Sequence, residues 1–382
     1  MNSIPDSYCE QVDNDGCSWT FWAAFFIAAL SYLNFLFNRG FGWDGDSFVS
    51  AAQFVKFMNN RLDYPYDVLG THPKILTILV FGIFYQLSHS FVYLTFLAIT
   101  INSIMVAVIC KWVKETGGLW IIALIGLVIN YDWSLIVVNC DNPAFSVPFI
   151  IFGLYSYYGK NHKITGAILL LVSSLFRPGS EIILLLIMLL EAKSSNFRPI
   201  TWLSLITATL ICIINTLFGI YLVFTTKEQF IRACVEYYPE AKAQIPIYKH
   251  SIRALFYYLQ SVFNQLSTFP DILFSMLAGT AIFGLIKHKN PLRFIALAPM
   301  ASLLLPIGIF VYGVTVNTQA EKHMEYVIVL PALASFSFVI PRYIKYKSLI
   351  ISITAVVSTL ILLCISSGLV GAKLHGKYEI GR

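Results

Sequence analysis

The sequence predicts an all-α polytopic membrane protein of about 10–12 transmembrane helices, because apolar stretches near the 20-residue crossing length recur along the chain. Two further observations agree. Of 382 residues, 57% are hydrophobic and only 12% charged, against about 25% charged in a soluble domain, and mean hydropathy is +0.72. The basic residues sit in short loops between apolar runs, which is the pattern of membrane orientation. The net charge of +6 is therefore no nucleic-acid signal, and there is no room for a large soluble domain.

Taken in order, residues 1–18 are polar and acidic, with Asp6, Glu10, Asp13 and Asp15 and no basic segment of a signal peptide. They read as a cytoplasmic tail. Candidate spans are 19–37, 91–110, 119–138, 142–158, 201–224, 270–286, 293–314, 323–341 and 348–370. Residues 74–87 are apolar but short. Residues 164–190 are interrupted by Arg177-Pro178-Gly179, which predicts a helical hairpin of two short spans. The whole reads as a single transmembrane domain over 19–371 with a C-terminal tail at 372–382.

The basic residues support this layout. With the first tail inside, loops 111–118, 159–163, 191–200, 287–293 and 342–347 all fall on that side. They hold twelve basic residues and two acidic ones, Glu115 and Glu191. The layout requires that 164–190 is a hairpin and that 74–87 adds no full pass. Two long loops, 38–73 and 225–269, then lie outside. Phe48, Ala51, Ala52, Val55 and Met58 in the first follow helical spacing, as expected of a helix lying on the outer surface. The second carries Tyr237-Tyr238-Pro239-Glu240 and a helical stretch from Ser251 to Phe263. The seven cysteines show no metal spacing, and those inside apolar runs behave as small hydrophobes.

Four groups of residues can carry chemistry. Asp44 and Asp46 follow the first span in a glycine-rich turn. A carboxylate beside an apolar wall can act as a general base, and a pair can hold a divalent cation through oxygen ligands. The plain alternative is that Asp46 or Ser47 caps the surface helix and Asp44 is a solvated turn residue. In Asn139-Cys140-Asp141-Asn142-Pro143, Pro143 suits the first helical position and Asn142 the cap. That leaves Asp141 free at the outer face, or simply part of a connecting loop. Arg177 lies in an apolar hairpin, where arginine is costly. It can grip a phosphate with its forked donors, or pair with Glu181 four residues on. Finally, Lys322 and His323 open a late span beside Glu325 and Tyr326, to meet a lipid phosphate or to serve as an interfacial anchor. His72, in His72-Pro73-Lys74, is a weaker candidate of the same kind.

In order and spacing these features resemble the GT-C class of integral membrane glycosyltransferases. An acid stands in the first outer loop (Trp43-Asp44-Gly45-Asp46) before a surface helix. Thr71-His72-Pro73-Lys74 precedes the next apolar stretch, and Asp141-Asn142-Pro143 starts a span. A short basic loop follows at Lys160–Lys163, then an apolar run ending in Arg177-Pro178, and a late span running from Lys322 through Tyr326 to Pro331. The resemblance covers about residues 19–340. It implies a polyprenyl-phosphate sugar donor and a glycan or lipid acceptor. It also implies Asp44 or Asp46 as the activating base and Arg177, Lys322 and His323 at the donor phosphate. His72, Asp141 and Tyr237 would lie on the substrate side. No firm cofactor is expected beyond a divalent cation at Asp44 and Asp46. The chain is short for the class and ends without a large outer domain, so acceptor binding would fall to loops 38–73 and 225–269. The compact size suggests a bacterial cytoplasmic membrane, with the active site outside.

Two other readings compete. A transporter or flippase of lipid-linked glycans would also need many spans, but internal repeats with matched broken helices are not visible. A glycan polymerase or ligase would place its catalytic groups in a large late loop. Only 225–269 qualifies, and its arginines are few (Arg232, Arg253).

Overall fold

A computed structural model of the protein describes residues 14–41, 75–129, 131–193, 198–217, 286 and 290–303. Every regular element among them is helical. In chain order they are α1 (Asn14–Arg39), α2 (Ile75–Ser88), α3 (Val92–Glu115), α4 (Trp120–Ile129), α5 (Tyr131–Val138), α6 (Pro143–Leu154), a π-turn (Tyr155–Gly159), α7 (Lys163–Phe176), α8 (Ser180–Ala192), α9 (Pro199–Leu217) and a 3-10 helix (Pro291–Leu303). Three stretches are long and apolar enough to cross a membrane: Ser18–Arg39, Val92–Glu115 and Pro199–Leu217. The protein is built as a membrane protein.

The helices stop where the backbone can reverse. Gly40, at φ +83, donates its N–H to Leu36 O and closes α1. Gly117, at φ +82, ends α3, and the next N–H, of Gly118, reaches back to Val113 O. Both are left-handed C-caps of the kind glycine favours. The end of α5 makes the same closure with Cys140 at φ +56, followed by Asp141 N–H to Ile136 O.

Packing centres on α3. In its most apolar window 61% of the residues are buried, against 28% for α1 and 33% for α9. Helix α1 presents Ala24, Ala28, Tyr32 and Leu36 to this core. These recur every fourth residue and form a narrow stripe. Its other faces show Trp22, Phe26, Leu30 and Phe37 outward, as a lipid-facing helix would. Between α6 and α7 the backbones themselves meet. A Cβ added at Gly166 would lie 2.8 Å from Gly153 O, so only a small residue permits this approach.

Two ends of the bundle are fixed by contacts. Lys114 Nζ donates to Thr20 Oγ1, so α1 and α3 are antiparallel. Trp120 packs on Trp19 at that end, while Cys140 Sγ meets Thr95 Oγ1 at the other. The segments α4 and α5 therefore return along the length of α3. Lys160 pairs with Glu115, Lys163 pairs with Glu191, and Asn290 Nδ2 donates to Thr116 O. This is the lysine end. It gathers the basic loops 111–118 and 159–163 and residues 191–193, together with Asn290. At the opposite end lie Gly40, Phe91, the Cys140-Asp141 turn, the Arg177-Pro178-Gly179 turn and Thr216. This is the turn end.

The stretch 164–190 consists of α7 and α8, broken at Arg177-Pro178-Gly179, with Lys163 and Glu191 closing the open side of the hairpin at 2.7 Å. Helix α2 takes a different course. Thr77 Oγ1 donates to Phe176 O, the Phe81 ring lies 5.3 Å from that of Phe145, and the Tyr85 ring lies 5.1 Å from that of Phe91. All three anchors belong to the turn end, so α2 crosses that end of the bundle. Its 14 residues span about 21 Å, short of the ~30 Å hydrocarbon layer.

Candidate functional site at the turn end

Of the residues that the sequence singles out, Asp44, Asp46, His72, Tyr237, Lys322 and His323 lie outside the described residues. Asp141 and Arg177 lie within them, and the fold sets their two turns side by side. Phe145 of α6 and Phe176 of α7 stack at 5.7 Å, and Ser173 Oγ donates to Ser146 O. The turns immediately beyond these contacts carry Asp141 and Arg177.

Asp141 is not the free outer-face acid expected of it. It is 6% exposed, and its Oδ1 accepts the N–H of Asn142 at 2.7 Å. Helix α6 does begin at Pro143 with Asn142 in the cap position, but the Asn142 side chain makes no capping hydrogen bond. Asp141 caps with both its groups instead, since its backbone carbonyl also receives Ala144 N–H. The physical reason is the left-handed turn at Cys140. It folds the chain back over α5 and carries Asp141 into the core. Asn102 reinforces the junction by donating to Ala98 O and Ala144 O, each at 2.8 Å.

Arg177 is half-buried in extended backbone, with φ −154 and ψ 126. It does not pair with Glu181. Among the described residues the ion pairs are Lys160–Glu115 and Lys163–Glu191. The expectation of an i, i+4 pair assumes a continuous helix, and Pro178-Gly179 breaks it between the two residues. Glu181, 4% exposed, is held by neutral donors. Its Oε1 accepts from Ser174 Oγ at 3.1 Å and from Thr216 Oγ1. Its Oε2 accepts the N–H of Gly179.

The turn is enclosed on its other side too. Gly179 sits at φ +148, and a Cβ there would lie 2.7 Å from Ala301 O. Glycine is required on both counts. Sequence reasoning missed Ser174, Thr216, Asn102 and the part played by Glu181. Their signal was polar side chains inside otherwise apolar runs, such as Asn102-Ser103 and Ser173-Ser174.

The candidate cation ligands Asp44 and Asp46 lie outside the described residues. Among the described residues, no three His, Cys, Asp or Glu side chains gather as a metal site. Comparison with family models, with characterised proteins and with solved structures gives no match. The functional reading therefore rests on the chain's own residues.

Proposed function

We propose that the protein is a membrane glycosyltransferase of the GT-C type, moving a sugar from a polyprenyl-phosphate donor to an acceptor hydroxyl of a glycan or lipid-linked glycan. One observation carries the reading: the described elements leading to the first-half candidates converge on the turn end. Helix α1 delivers the chain there at Gly40 and Phe41, and three residues extend at most about 11 Å before Asp44. Helix α2, which follows His72, begins there beside Phe176. Asp141 and Arg177 occupy the adjoining turns.

In this reading the lipid-linked sugar keeps its tail among the apolar helices and its phosphate at the turn end. The carboxylate of Asp44, or of Asp46, removes the proton of the acceptor hydroxyl. The acceptor oxygen bonds to the anomeric carbon, the bond from that carbon to the phosphate oxygen breaks, and polyprenyl phosphate leaves. Arg177, Lys322 and His323 stabilise the charge that develops on it. His72, Asp141 and Tyr237 line the substrate side. The reading also takes about ten to twelve spans, the N-terminus inside and the turn end on the outer face of a bacterial cytoplasmic membrane.

The test is purified protein given a panel of polyprenyl-phosphate sugars, with released polyprenyl phosphate as readout. Asp44→Asn keeps the shape of the side chain and removes its basicity. It should cost at least ~10²-fold in transfer, the low end for general-base catalysis, and Asp46→Asn should cost less. Near-normal transfer by both variants would remove the base from this loop. A chelator should do little if the acid works as a base, and much if the pair holds a cation. For topology, single cysteines from Ser50→Cys and Asn161→Cys should label from opposite sides of the membrane. Labelling of both from outside sinks the layout.

A further inference from the structure

Glu181 has no part in the reaction above, yet its carboxylate joins three elements where the hairpin turns. Ser174 belongs to α7, Thr216 to α9, and Gly179 to the turn itself, and all three donate to it. Pro178 supplies no N–H, so the turn cannot be held by an unbroken helical ladder. It is held from outside the ladder instead. The Glu181 carboxylate takes the Gly179 N–H on one side, and the Ala301 carbonyl packs against Gly179 on the other. Arg177 N–H donates to Ser173 O at 2.9 Å, which anchors the residue before the turn. With both sides fixed, the backbone direction from which the Arg177 side chain departs is fixed as well.

We propose that Glu181 is a positioning residue for Arg177: by its hydrogen bonds, and not by pairing with the arginine, it sets the geometry of the phosphate-binding turn. This deepens the glycosyltransferase reading and rests on it for the identity of the ligand, the phosphate of a lipid-linked sugar. A single conservative change separates hydrogen bonding from charge. In Glu181→Gln the amide oxygen can accept the Gly179 N–H, while the NH2 donates to the Ser174 and Thr216 hydroxyls, which accept as well as donate. Glu181→Met keeps the length and replaces both carboxylate oxygens with a thioether, a weak acceptor only.

The experiment has two arms, both in full-length protein. In the first, Arg177→Cys in a cysteine-free background reports the turn through its rate of thiol labelling. Adding Glu181→Met should change that rate by at least about fivefold, as expected when a buried hydrogen bond is lost. Adding Glu181→Gln should leave it near the parent value. In the second, with Arg177 intact, Glu181→Met should lower kcat and kcat/KM for the polyprenyl-phosphate sugar together, about tenfold, with KM little changed, and Glu181→Gln should restore them. An unchanged labelling rate in the methionine variant overturns the proposal, as does a glutamine variant as impaired as the methionine one. If Glu181→Met fails to insert, Ser174→Ala with Thr216→Val empties Oε1 and spares the turn bond. A smaller labelling change is expected there, and none would count against the proposal. A labelling difference without sugar transfer by the unaltered protein supports the positioning geometry and sinks the glycosyltransferase reading.

Discussion

At the lysine end, polar side chains are charged, paired and partly open. Lys160 and Glu115 meet at 2.7 Å with 40% and 19% of their side chains exposed, and Lys163 and Glu191 meet with 21% and 10% exposed. The Tyr155 hydroxyl also donates to Glu115. At the turn end, the carboxylates of Asp141 and Glu181 are buried and accept from backbone N–H groups and hydroxyls. The two designs respond to different forces. Exposed ion pairs contribute little and are screened by salt. A buried acceptor that loses its donor costs the full desolvation of the group. The more exposed Lys160–Glu115 pair therefore tolerates change, while the turn end holds a shape that does not.

The sharpest way to break that contrast is Arg177→Lys. Lysine keeps the charge and loses the forked geometry, so transfer should fall by roughly 10²-fold, the scale of one lost transition-state contact. The double change Arg177→Met with Glu181→Gln should not recover it, because no ion pair joins the two. Recovery would put an ion pair at the turn end and erase the distinction.

Next in size are stability effects, read as thermal unfolding in detergent. Thr216→Val takes a donor from the buried Glu181 oxygen and should cost about 1–3 kcal/mol. Gly166→Ala drives a methyl to 2.7 Å from Tyr157 Cβ and should cost about 1–3 kcal/mol through overpacking between α6 and α7. The smallest effect belongs to the lysine end. Lys160→Ala should cost under about 1 kcal/mol, discounted for its exposure, and the difference should shrink as salt is added. A loss as large as that of Thr216→Val would mean that the ion pairs are structural after all.

The legible parts of this molecule were those written in local chemistry. Pro178-Gly179 cannot continue a helix, and the hairpin turns there. Pro143 suits the first helical position, and α6 starts there. Of the five basic loops expected on one side, described residues of 111–118, 159–163 and 191–193 gather with Asn290, and 342–347 lies outside the described residues. What stayed hidden depends on partners far along the chain. Glu181 and Thr216 are 35 residues apart, so the nearer Arg177 looked like the natural partner. Cys140 takes a left-handed conformation more usual for glycine, so nothing in its identity announced that Asp141 would be folded inward. Helix α2 is apolar on almost every face, and periodicity does not distinguish a helix that runs along a bundle from one laid across its end.

The pairing of Lys163 with Glu191 also bears on how the chain is made. Helices α7 and α8 have 14 and 13 residues, about 20 Å each, and neither would by itself be a strong stop for an insertion machinery that recognises some 20 apolar residues. As a hairpin they offer one continuous apolar unit with both charged feet on the same side. In the multi-pass layout proposed above, neither foot would traverse the hydrocarbon layer during biosynthesis. Of the ionisable acids and bases between those feet, Arg177 and Glu181 alone would be carried to the far side. The two residues of this turn would then be delivered in a single insertion event.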